Sequence, residues 1–421
     1  MVGGQGSRLV FSWRVSCQTQ LLFLFARRFF QGWKRNTDPH DLASQFQIST
    51  RTVQRLYARF EKFGDDGIAP DYQNCGSKQA AKTDDELIEQ ILETRRDHRQ
   101  WGAELIRVVL DEEYDDLPNA RTFRRYLRQA GLNPAPAGRR STPDQEPVPR
   151  ATRPHQGWQV DASEEIQLKG KRYASWLRFV DECSGAFLRT TVYDVKRWAY
   201  MDRHVIQNDV RNAFSDWGIP DRMRFDNGYP FGSTGDFPPE MALWLIGLGI
   251  EMIWIHPGCP QQNGVVERAQ GTGKNWSEPK KCRTSKQLQK CCDKMDYLQR
   301  ERYPYRDGAS RGAVYPELAH SGHKYNRRTE RQNWDLSRVL AAVSQTVCTR
   351  KVDSSGSVSV YNRTRYIGKS HTGKKIYVSL DATGPTWVFS DANGNDLRTH
   401  QADELTEKRI RSLTVGYRKP R

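Results

Sequence analysis

Six prolines between positions 133 and 154 constrain the fold of this chain more than any other feature of its sequence. Proline lacks a backbone N–H and fixes φ, so a segment with this spacing forms neither a long helix nor a central strand. The run predicts an extended, semi-rigid linker over 133–154. The chain has 421 residues, and at roughly 100 to 200 residues per domain this linker separates the folded parts of a multidomain protein.

Composition excludes two classes of protein. The chain contains 12 Trp, 17 Tyr and 16 Phe, which is enough apolar surface to exclude disorder throughout. The apolar run near the start, 21–25, is far shorter than the roughly 20 residues that cross a bilayer, so neither a membrane span nor a signal peptide is expected. The eight scattered cysteines suit no disulfide framework, which favours a cytoplasmic location.

Positive charge is concentrated in the last third of the chain. Residues 1–150 hold 23 basic and 20 acidic residues, residues 151–280 hold 15 and 16, and residues 281–421 hold 28 and 14. Such an asymmetry is typical of proteins that contact a polyanion, because Lys and Arg side chains displace counterions from phosphates. The alternative is a basic surface that serves only solubility.

A helix-turn-helix module is predicted over 20–75. A short helix over 41–46 and a turn at Gln47 and Ile48 precede a helix that Ser49 or Thr50 caps. The second helix has an apolar stripe and a polar face, so it can lie in the major groove and read base edges. The polar face consists of Arg51, Gln54 and Arg55. The alternative is an ordinary helical hairpin with a solvated basic face.

A second, helix-turn-helix-like module is predicted over 82–132, with helices at 84–96, at 103–113 and from Asn119 onward. The last helix places four arginines on one outer face, where they can clamp a phosphate backbone: Arg121, Arg124, Arg125 and Arg128. The acidic run 111–116 offers an alternative of equal weight, because its carboxylates can neutralise these arginines.

The centre, 155–280, is predicted to be an α/β domain with a mixed sheet, because three strands form a meander and two further strands alternate with helices. The predicted strands are 158–161, 173–181, 186–193, 222–225 and 251–256, and the predicted helices are 198–217, 239–248 and one from near 262.

Three carboxylates carry the chemistry that we infer for this centre. Asp161 ends an apolar strand, Asp226 ends another before a glycine-containing turn, and Glu267 lies early in a helix. Converging carboxylates repel one another, and Mg²⁺ removes this repulsion because it prefers hard oxygen ligands. Two such ions roughly 3.5 to 4 Å apart can activate an attacking oxygen and stabilise a leaving one in phosphoryl transfer.

Four blocks of the centre form a combined pattern: Trp158-Gln-Val-Asp161, Phe179-Val-Asp-Glu-Cys-Ser184, Gly218-Ile-Pro-Asp-Arg-Met-Arg-Phe-Asp226-Asn-Gly228 and His256-Pro-Gly-Cys-Pro-Gln-Gln-Asn-Gly-Val-Val-Glu267-Arg268. Together they resemble the catalytic core of the retroviral-integrase-type DDE transposases, which include bacterial insertion-sequence transposases. The similarity covers 150–280. It implies a ribonuclease-H-like fold, two Mg²⁺ or Mn²⁺ ions, and cutting and joining of DNA ends.

The resemblance also assigns residues and partners. Asp161, Asp226 and Glu267 match the catalytic, metal-binding triad, in which Asp161 would bridge both ions, and Lys274 matches a basic residue that contacts the DNA end. The partners implied are double-stranded DNA at the element ends and at the target, bound by a homo-oligomer in the cytoplasm at the nucleoid, without a membrane. The sequence leaves open whether a partner ATPase takes part.

Further residues are expected to position the loops around the triad. Asn227 and Gly228 form the turn after Asp226, and His256 positions the loop ahead of the catalytic helix. Asn263 is expected to cap that helix and Gly264 to permit its tight start. Asp181 is expected to be a sheet or turn residue, and Glu164 and Glu165 are expected to be solvated.

Three departures from the family pattern concern the catalytic helix and the segment that leads to it. The segment between Asp226 and Glu267 is longer than in many relatives, an excess that the 232–239 loop can absorb. Ala269 replaces a frequent aromatic residue, and Gly273 weakens the helix by about 1 kcal/mol relative to Ala.

The last third is predicted to contain a basic connecting region over 281–344, a small SH3-like β-barrel over 345–406 and a basic tail over 407–421. The barrel strands are expected at 347–352, 358–361, 365–367, 376–380 and 386–389. Basic side chains on the hairpins are expected to contact DNA phosphates: Lys351, Arg363, Arg365 and Lys374.

The sequence therefore predicts a transposase or integrase of a mobile DNA element. Its fold is expected to combine N-terminal all-α helix-turn-helix modules, a central α/β ribonuclease-H-like domain with a mixed sheet, and a C-terminal β-barrel. Two alternatives remain: a domesticated DNA-binding regulator with an inactive core, and a structure-specific nuclease that cuts DNA without joining it.

Overall fold

A computed structural model describes residues 38–45, 47–64, 83–133, 149–232, 237–256 and 259–416. The chain forms two compact units, 1–84 and 85–421. Most of the predicted linker, 134–148, and the end of the predicted tail, 417–421, lie outside the described residues. Within the described ranges, no helix is long and apolar enough to cross a membrane.

The described part of the first unit is a pair of helices, α1 (Pro39–Gln45) and α2 (Thr50–Phe63). The Ser49 side chain caps α2 by accepting a hydrogen bond from the Thr52 amide at 3.2 Å. Leu42 of α1 and Val53 of α2 are fully buried against each other's helix in one small apolar cluster. The predicted pairing of a short helix with a longer, Ser-capped helix is therefore confirmed.

The second unit begins with three helices, α3 (Asp85–Asp97), α4 (Ala103–Leu110) and α5 (Ala120–Gln129). The Asn119 side chain caps α5 by accepting from the Thr122 amide at 3.2 Å. Phe123 and Leu127 of α5 are fully buried in a core that α3 and α4 complete. The opposite face of α5 carries the arginines and is exposed.

A five-stranded mixed sheet follows, with the order β3-β2-β1-β4-β5. Its strands are β1 (Gly157–Gln167), β2 (Tyr173–Asp181), β3 (Phe187–Tyr193), β4 (Arg222–Phe225) and β5 (Glu251–Trp254). Strand β1 is antiparallel to β2 and parallel to β4, and β4 is parallel to β5. The mixed sheet predicted from the sequence is therefore confirmed.

Helices cover both faces of this sheet: α6 (Arg203–Trp217), α7 (Glu240–Gly247) and α8 (Gly264–Ser277). Side chains alternate along β1, so Trp158 and Val160 point into the main core, where α6 and α7 pack. Gln159 and Asp161 point to the other face and form hydrogen bonds with α8. This alternation places a functional side chain and its supporting helix on the same face of the sheet.

The connecting region is largely helical and covers the edge of the sheet. Its helices are α9 (Ser285–Tyr297), α10 (Arg311–Val314), α11 (Glu330–Asn333) and α12 (Leu336–Ser344). Gln289 of α9 accepts a hydrogen bond from the Val192 amide and donates one to the Thr190 carbonyl, both at 2.7 Å. These bonds satisfy backbone groups of the edge strand β3 that water would otherwise have to satisfy.

The final segment has more strands than predicted and no closed barrel. The strands β6 (Cys348–Lys351), β9 (Lys375–Asp381), β10 (Thr386–Ser390) and β11 (Asp396–Gln401) form an open sheet in the order β11-β10-β9-β6, and β7 (Ser357–Val360) and β8 (Arg363–Tyr366) form a separate two-stranded sheet. Individual hydrogen bonds connect the two sheets. In one of them, the Arg350 side chain donates to the Ser359 carbonyl at 3.1 Å. The predicted SH3-like barrel is therefore replaced by an open sheet and a hairpin.

The segment predicted as a basic tail contains a packed helix, α13 (Glu407–Arg411). Ile410, Leu413 and Val415 are fully buried in the main core. Glu330 of α11, which is only 2% exposed, lies between Arg211 of α6 at 2.7 Å and Arg411 of α13 at 3.6 Å. Residues 407–416 are therefore part of the folded unit.

Candidate functional site

The sheet brings two of the three carboxylates together. Val160 of β1 lies beside Phe225 of β4 in parallel register, and each is followed by an aspartate, Asp161 and Asp226. Both side chains are half-buried and line one cavity of about 290 Å³. The remaining lining is mainly apolar and aromatic and includes Leu177, Trp198, Tyr229 and Phe231.

Glu164 is exposed, as expected, and also lines this cavity. Its carboxylate accepts a hydrogen bond from the Trp198 amide at 2.8 Å, which ties β1 to the turn before α6. Glu165 is likewise exposed and lies 3.6 Å from Arg197. Glu267 is not among the residues that line the cavity.

The charge of Glu267 nevertheless affects the carboxyl group of Asp161. It lies exposed in the first turn of α8. The pKa of Asp161 is raised to about 6, chiefly by burial; the negative charges of Asp226 and Glu267 also raise it, and a hydrogen bond from Gln270 lowers it. Within the described ranges, no three His, Cys, Asp or Glu side chains stand close enough together to hold a metal ion. The three acids are therefore neighbours whose carboxylates do not converge on a single metal position in this structure.

Gln270 of α8 fixes the position of Asp161. Its amide nitrogen donates to the backbone carbonyl and to the carboxylate of Asp161, both at 3.1 Å. Its amide oxygen accepts from the indole of the buried Trp176 at 2.5 Å. Because both ends of the Gln270 amide are occupied, its orientation is set, and the carboxylate of Asp161 is held toward α8.

The N-terminus of α8 is capped by a residue of strand β1 and not by the residue that directly precedes the helix. The side-chain oxygen of Gln159 accepts from the amides of Val265 and Val266, both at 3.1 Å. Asn263 makes no capping hydrogen bond, and its buried side-chain oxygen has no partner among the described residues. The prediction that Asn263 caps this helix is therefore wrong, because Gln159 already occupies the amides that a cap would bind.

The prediction that Gly264 permits a tight helix start is also wrong. This residue has an ordinary right-handed helical conformation, with φ −63° and ψ −16°. A Cβ atom added there meets nothing within 4 Å. Neither backbone geometry nor space therefore requires glycine at this position.

A buried ionic network orients Gln159. Its side-chain nitrogen donates to the Glu182 carboxylate at 3.2 Å. Glu182 is 2% exposed and is also contacted by Arg224 at 3.1 Å and Arg222 at 3.6 Å. Sequence reasoning missed Gln159. The signal that could have identified it is its position two residues before Asp161, which places both side chains on one face of β1.

The loops around Asp226 are held by local hydrogen bonds. The Gly228 amide donates to the Asp226 carboxylate at 3.0 Å, and the Asn227 side chain donates to the Ile255 carbonyl at 3.0 Å. A Cβ atom on Gly228 would lie 2.9 Å from that carboxylate. His256 has an exposed side chain, and its backbone amide donates to Gln262 at 2.9 Å.

Asp181 has a structural environment. It is fully buried and accepts hydrogen bonds from the Ser184 amide at 2.7 Å, the Ser184 hydroxyl at 2.6 Å and the His155 amide at 2.7 Å. Burial raises its pKa, and these bonds oppose the shift. Asp181 therefore closes the β2–β3 turn and ties it to the start of β1.

Most residues predicted to contact DNA are exposed. On α2 and α5 these are Arg51, Gln54, Arg55, Arg121, Arg124, Arg125 and Arg128, and elsewhere they are Lys274, Lys351 and Lys374. Of the α5 arginines, Arg124 forms an ion pair with Glu104. Two acids of the 111–116 run pair with other residues: Asp111 lies 2.6 Å from Arg302 and Glu112 lies 2.7 Å from Lys294.

Arg365 does not belong with the residues that can reach DNA. Its side chain is 6% exposed and pairs at 2.5 Å with Glu404, which is fully buried. It also donates to the Val360 carbonyl at 3.1 Å, and Glu404 accepts from the Trp387 indole at 2.8 Å. Alternation along β8 turns Arg365 inward, away from the exposed Thr364 and Tyr366, and Arg363 on the same face of the strand is half-buried. The prediction that Arg365 contacts phosphates is therefore wrong.

Substitutions at Arg365 and Lys374 are expected to change different properties: stability in the case of Arg365 and DNA binding in the case of Lys374. Arg365→Met is expected to lower the free energy of unfolding by about 3 kcal/mol, because it leaves the buried Glu404 charge without its partner. Lys374→Ala is expected to change stability by less than about 0.5 kcal/mol and to reduce the salt dependence of DNA binding by about one ion. Urea unfolding and DNA titrations at several salt concentrations measure both. An Arg365→Met protein of unchanged stability would contradict this assignment.

Asp161 is expected to make stability depend on pH. Its pKa of about 6 lies above the ordinary value of 3.8, so the folded state binds its proton more tightly and stability is lost as pH rises from 3.8 to 6. Asp161→Asn removes this loss and should stabilise the protein at pH 8 by about 1 to 2 kcal/mol, after allowance for partial exposure. Thermal unfolding in EDTA at pH 5 and pH 8 tests this. An equal gain at both pH values would contradict it.

Comparison with known proteins gives a matching family model and a similar relative. Residues 52–127 match the family model of a homeodomain-like domain of the helix-turn-helix class. The chain is 24% identical over 186 residues to an uncharacterized 39.2 kDa protein of the insertion element IS476 of Xanthomonas euvesicatoria. This match covers 44% of the chain and 51% of the relative, so the chain spans about half the length of the relative it matches. Together these matches confirm the resemblance to insertion-sequence transposases that the motifs indicated.

Solved structures of integrases are also similar to parts of the chain. The HTLV-2 integrase catalytic core domain in complex with magnesium, in its trimeric form, is 21% identical, with coverage of 41% of this chain and 100% of that one and a TM-score of 0.30. The catalytic core domain of BIV integrase is 19% identical, with coverage of 40% and 97% and a TM-score of 0.28.

Proposed function

We propose that the protein is a transposase or integrase of a mobile DNA element, which binds the ends of the element, cleaves a phosphodiester there and joins the new 3′ end to target DNA. The observation that carries the proposal is the juxtaposition of Asp161 and Asp226 in one cavity, with Glu267 close enough to raise the pKa of Asp161. The insertion-element relative supports the same function.

The residues around this cavity suit divalent cations. Asp161, Asp226 and Glu267 offer hard oxygen donors, and bound cations would relieve the repulsion from Asp226 and Glu267 that adds to the effect of burial on the pKa of Asp161. These three residues would hold two Mg²⁺ or Mn²⁺ ions. The bound ions would supply activation of the attacking oxygen and stabilisation of the leaving oxygen.

Side chains and one backbone amide of the chain position the acids for this task. Gln270 holds the Asp161 carboxylate, and the Gly228 amide holds that of Asp226. Gln159 fixes the start of α8, the helix on which Glu267 lies. Lys274, exposed and two turns after Glu267, would contact the phosphates of the same DNA end.

DNA recognition is assigned to the helical modules and the basic final segment. The exposed Arg51, Gln54 and Arg55 of α2 would read base edges in the major groove. The arginines of α5 and the exposed Lys351 and Lys374 would contact phosphates without reading sequence. Such enzymes must hold two DNA ends at once, so we assign a homo-oligomer on DNA as the active form.

The proposal is tested with the DNA that flanks the coding region. Inverted repeats found there are placed on a labelled fragment, which is incubated with protein and Mg²⁺ together with a supercoiled plasmid. We expect strand cleavage at the repeat ends and joining of labelled ends to the plasmid, with no product in EDTA. Binding without any cleavage would favour the regulator, and cleavage without joining would favour the nuclease.

A further inference from the structure

A second cavity, of about 380 Å³, lies between α8, the β2–β3 turn and the segment after α9. Volumes of this size are typical of sites for small ligands or single nucleotides. Two kinds of side chain dominate the part of its wall that can recognise a ligand: the aromatic rings of Trp276, Tyr303 and Tyr305, and the guanidinium groups of Arg150, Arg268 and Arg311.

The cavity lies on the far flank of the helix that carries Glu267. Arg268, Thr272 and Trp276 are spaced by four residues and face the cavity, whereas Glu267, Gln270 and Lys274 face the other flank. The exposed ridge between the two flanks includes Gly271, where an added Cβ atom would meet nothing within 4 Å. A DNA strand that crosses this ridge spans a helix diameter of about 10 Å.

The charge of the cavity suits an anion. Arg268 is exposed and, like Arg150, has no ion pair or hydrogen bond within the described ranges. Arg311 instead donates to the carbonyls of Ser184 at 3.1 Å and Gln299 at 3.2 Å, so it stiffens the wall. The acid at the cavity, Glu182, is already paired with Arg222 and Arg224. Arg268 and Arg150 therefore remain available for a phosphate.

The aromatic wall is held in place by its neighbours. The rings of Trp276 and Tyr303 lie 4.9 Å apart at an angle of 49°, and both pack on the core of α3, α4 and α5. The Trp101 indole donates to the Trp276 carbonyl at 3.0 Å, which ties α8 to these helices. A preformed aromatic wall of this kind stacks nucleobases of any sequence.

We propose that this cavity binds one unpaired nucleotide of the DNA strand that also reaches the carboxylates, with its base against Trp276 and Tyr303 and its phosphate at Arg268 and Arg150. The DNA identity of the ligand rests on the proposed function. The binding itself does not, because it needs neither metal nor catalysis.

Photocrosslinking tests this inference without catalysis. A ten-nucleotide single-stranded DNA with one 5-iododeoxyuridine is irradiated with the full chain in EDTA, and crosslinked peptides are mapped by mass spectrometry. We expect crosslinks at Trp276, Tyr303 or Tyr305. Arg268→Ala should lower the yield at a subsaturating DNA concentration about tenfold, the scale of one lost charge-assisted contact. Lys290→Ala removes an exposed lysine of α9 outside the cavity and should leave the yield unchanged.

Three outcomes would overturn the inference. Crosslinks confined to other regions would exclude the cavity as a base site. Equal yields for Arg268→Ala and Lys290→Ala would exclude the phosphate contact. Equal labelling of the cavity by 5-iododeoxyuridine monophosphate at the same concentration would assign it to free nucleotides instead of a DNA strand. Because the readout is taken in EDTA, absence of DNA cleavage in Mg²⁺ would refute the proposed function and leave this result standing.

Discussion

Asp161→Asn, Asp226→Asn and Glu267→Gln are each expected to reduce DNA cleavage and joining by about 10³-fold or more, the scale on which removing one member of a catalytic set acts. Each substitution keeps the shape of the side chain and removes one negative charge, so it removes a hard oxygen donor for the cations without opening a cavity. Affinity for the same DNA in EDTA should change less than about threefold, because the protein contacts assigned to phosphates and bases lie elsewhere.

Glu164→Gln provides the matched control for these variants. Glu164 lines the same cavity and loses the same charge, and a glutamine oxygen can still accept from the Trp198 amide. We expect its cleavage rate to stay within about threefold of the wild type, since a charge removed next to a site without removing a ligand acts weakly. A rate as low as that of Asp226→Asn would add Glu164 to the site. Retained joining in any of the other three would remove that residue from it.

The second large effect is expected at Gly273, in the middle of α8. Propensity alone predicts that alanine stabilises a helix by about 1 kcal/mol relative to glycine. Here a Cβ atom would fall on the guanidinium of Arg178, well inside van der Waals contact. Arg178 is 1% exposed, donates to the Ala269 carbonyl at 2.6 Å and lies 3.7 Å from the buried Asp296, so it has no room to move. Gly273→Ala should therefore destabilise the protein by about 2 to 3 kcal/mol.

Gly271→Ala tests the same exchange on the same helix without the clash. Its Cβ atom would meet nothing within 4 Å, so the propensity term alone applies and a gain of up to about 1 kcal/mol is expected. Urea unfolding of both variants decides the matter. If Gly273→Ala proved as stable as Gly271→Ala, then Arg178 would have an alternative position and the buried pair with Asp296 would not be rigid.

Much of the fold followed from local pattern. The bounds of β2 and β4 were predicted to the residue, because their apolar runs end at turns that Ser184 and Gly185, or Asn227 and Gly228, impose. The juxtaposition of Asp161 and Asp226 was also within reach, since parallel neighbouring strands bring their side chains to one edge. Strand β11 was missed because only one residue in it is strongly apolar and most of it is exposed.

What the sequence could not supply were interactions between distant segments. Arg365 is one basic residue among many in its sequence neighbourhood, and only the partner Glu404, 39 residues later, turns it into a core residue. Gln159 likewise acquires its role from α8, whose capped amides lie 106 and 107 residues along the chain. From helix propensity alone, Gly273 is a weak point in its helix. In the fold, the guanidinium of Arg178 occupies the space that a side chain at this position would need. Each case depends on a long-range contact that overrides local preference.

The ion triad of Glu330 with Arg211 and Arg411 bears on how the gene tolerates shortening. A stop codon just before Glu407 would remove a few basic residues that look dispensable on charge alone. It would also strip Glu330 of one of its two cations and expose the apolar surface under Ile410 and Leu413. Truncated copies of the gene should therefore yield protein that aggregates or is degraded, rather than a stable shortened chain.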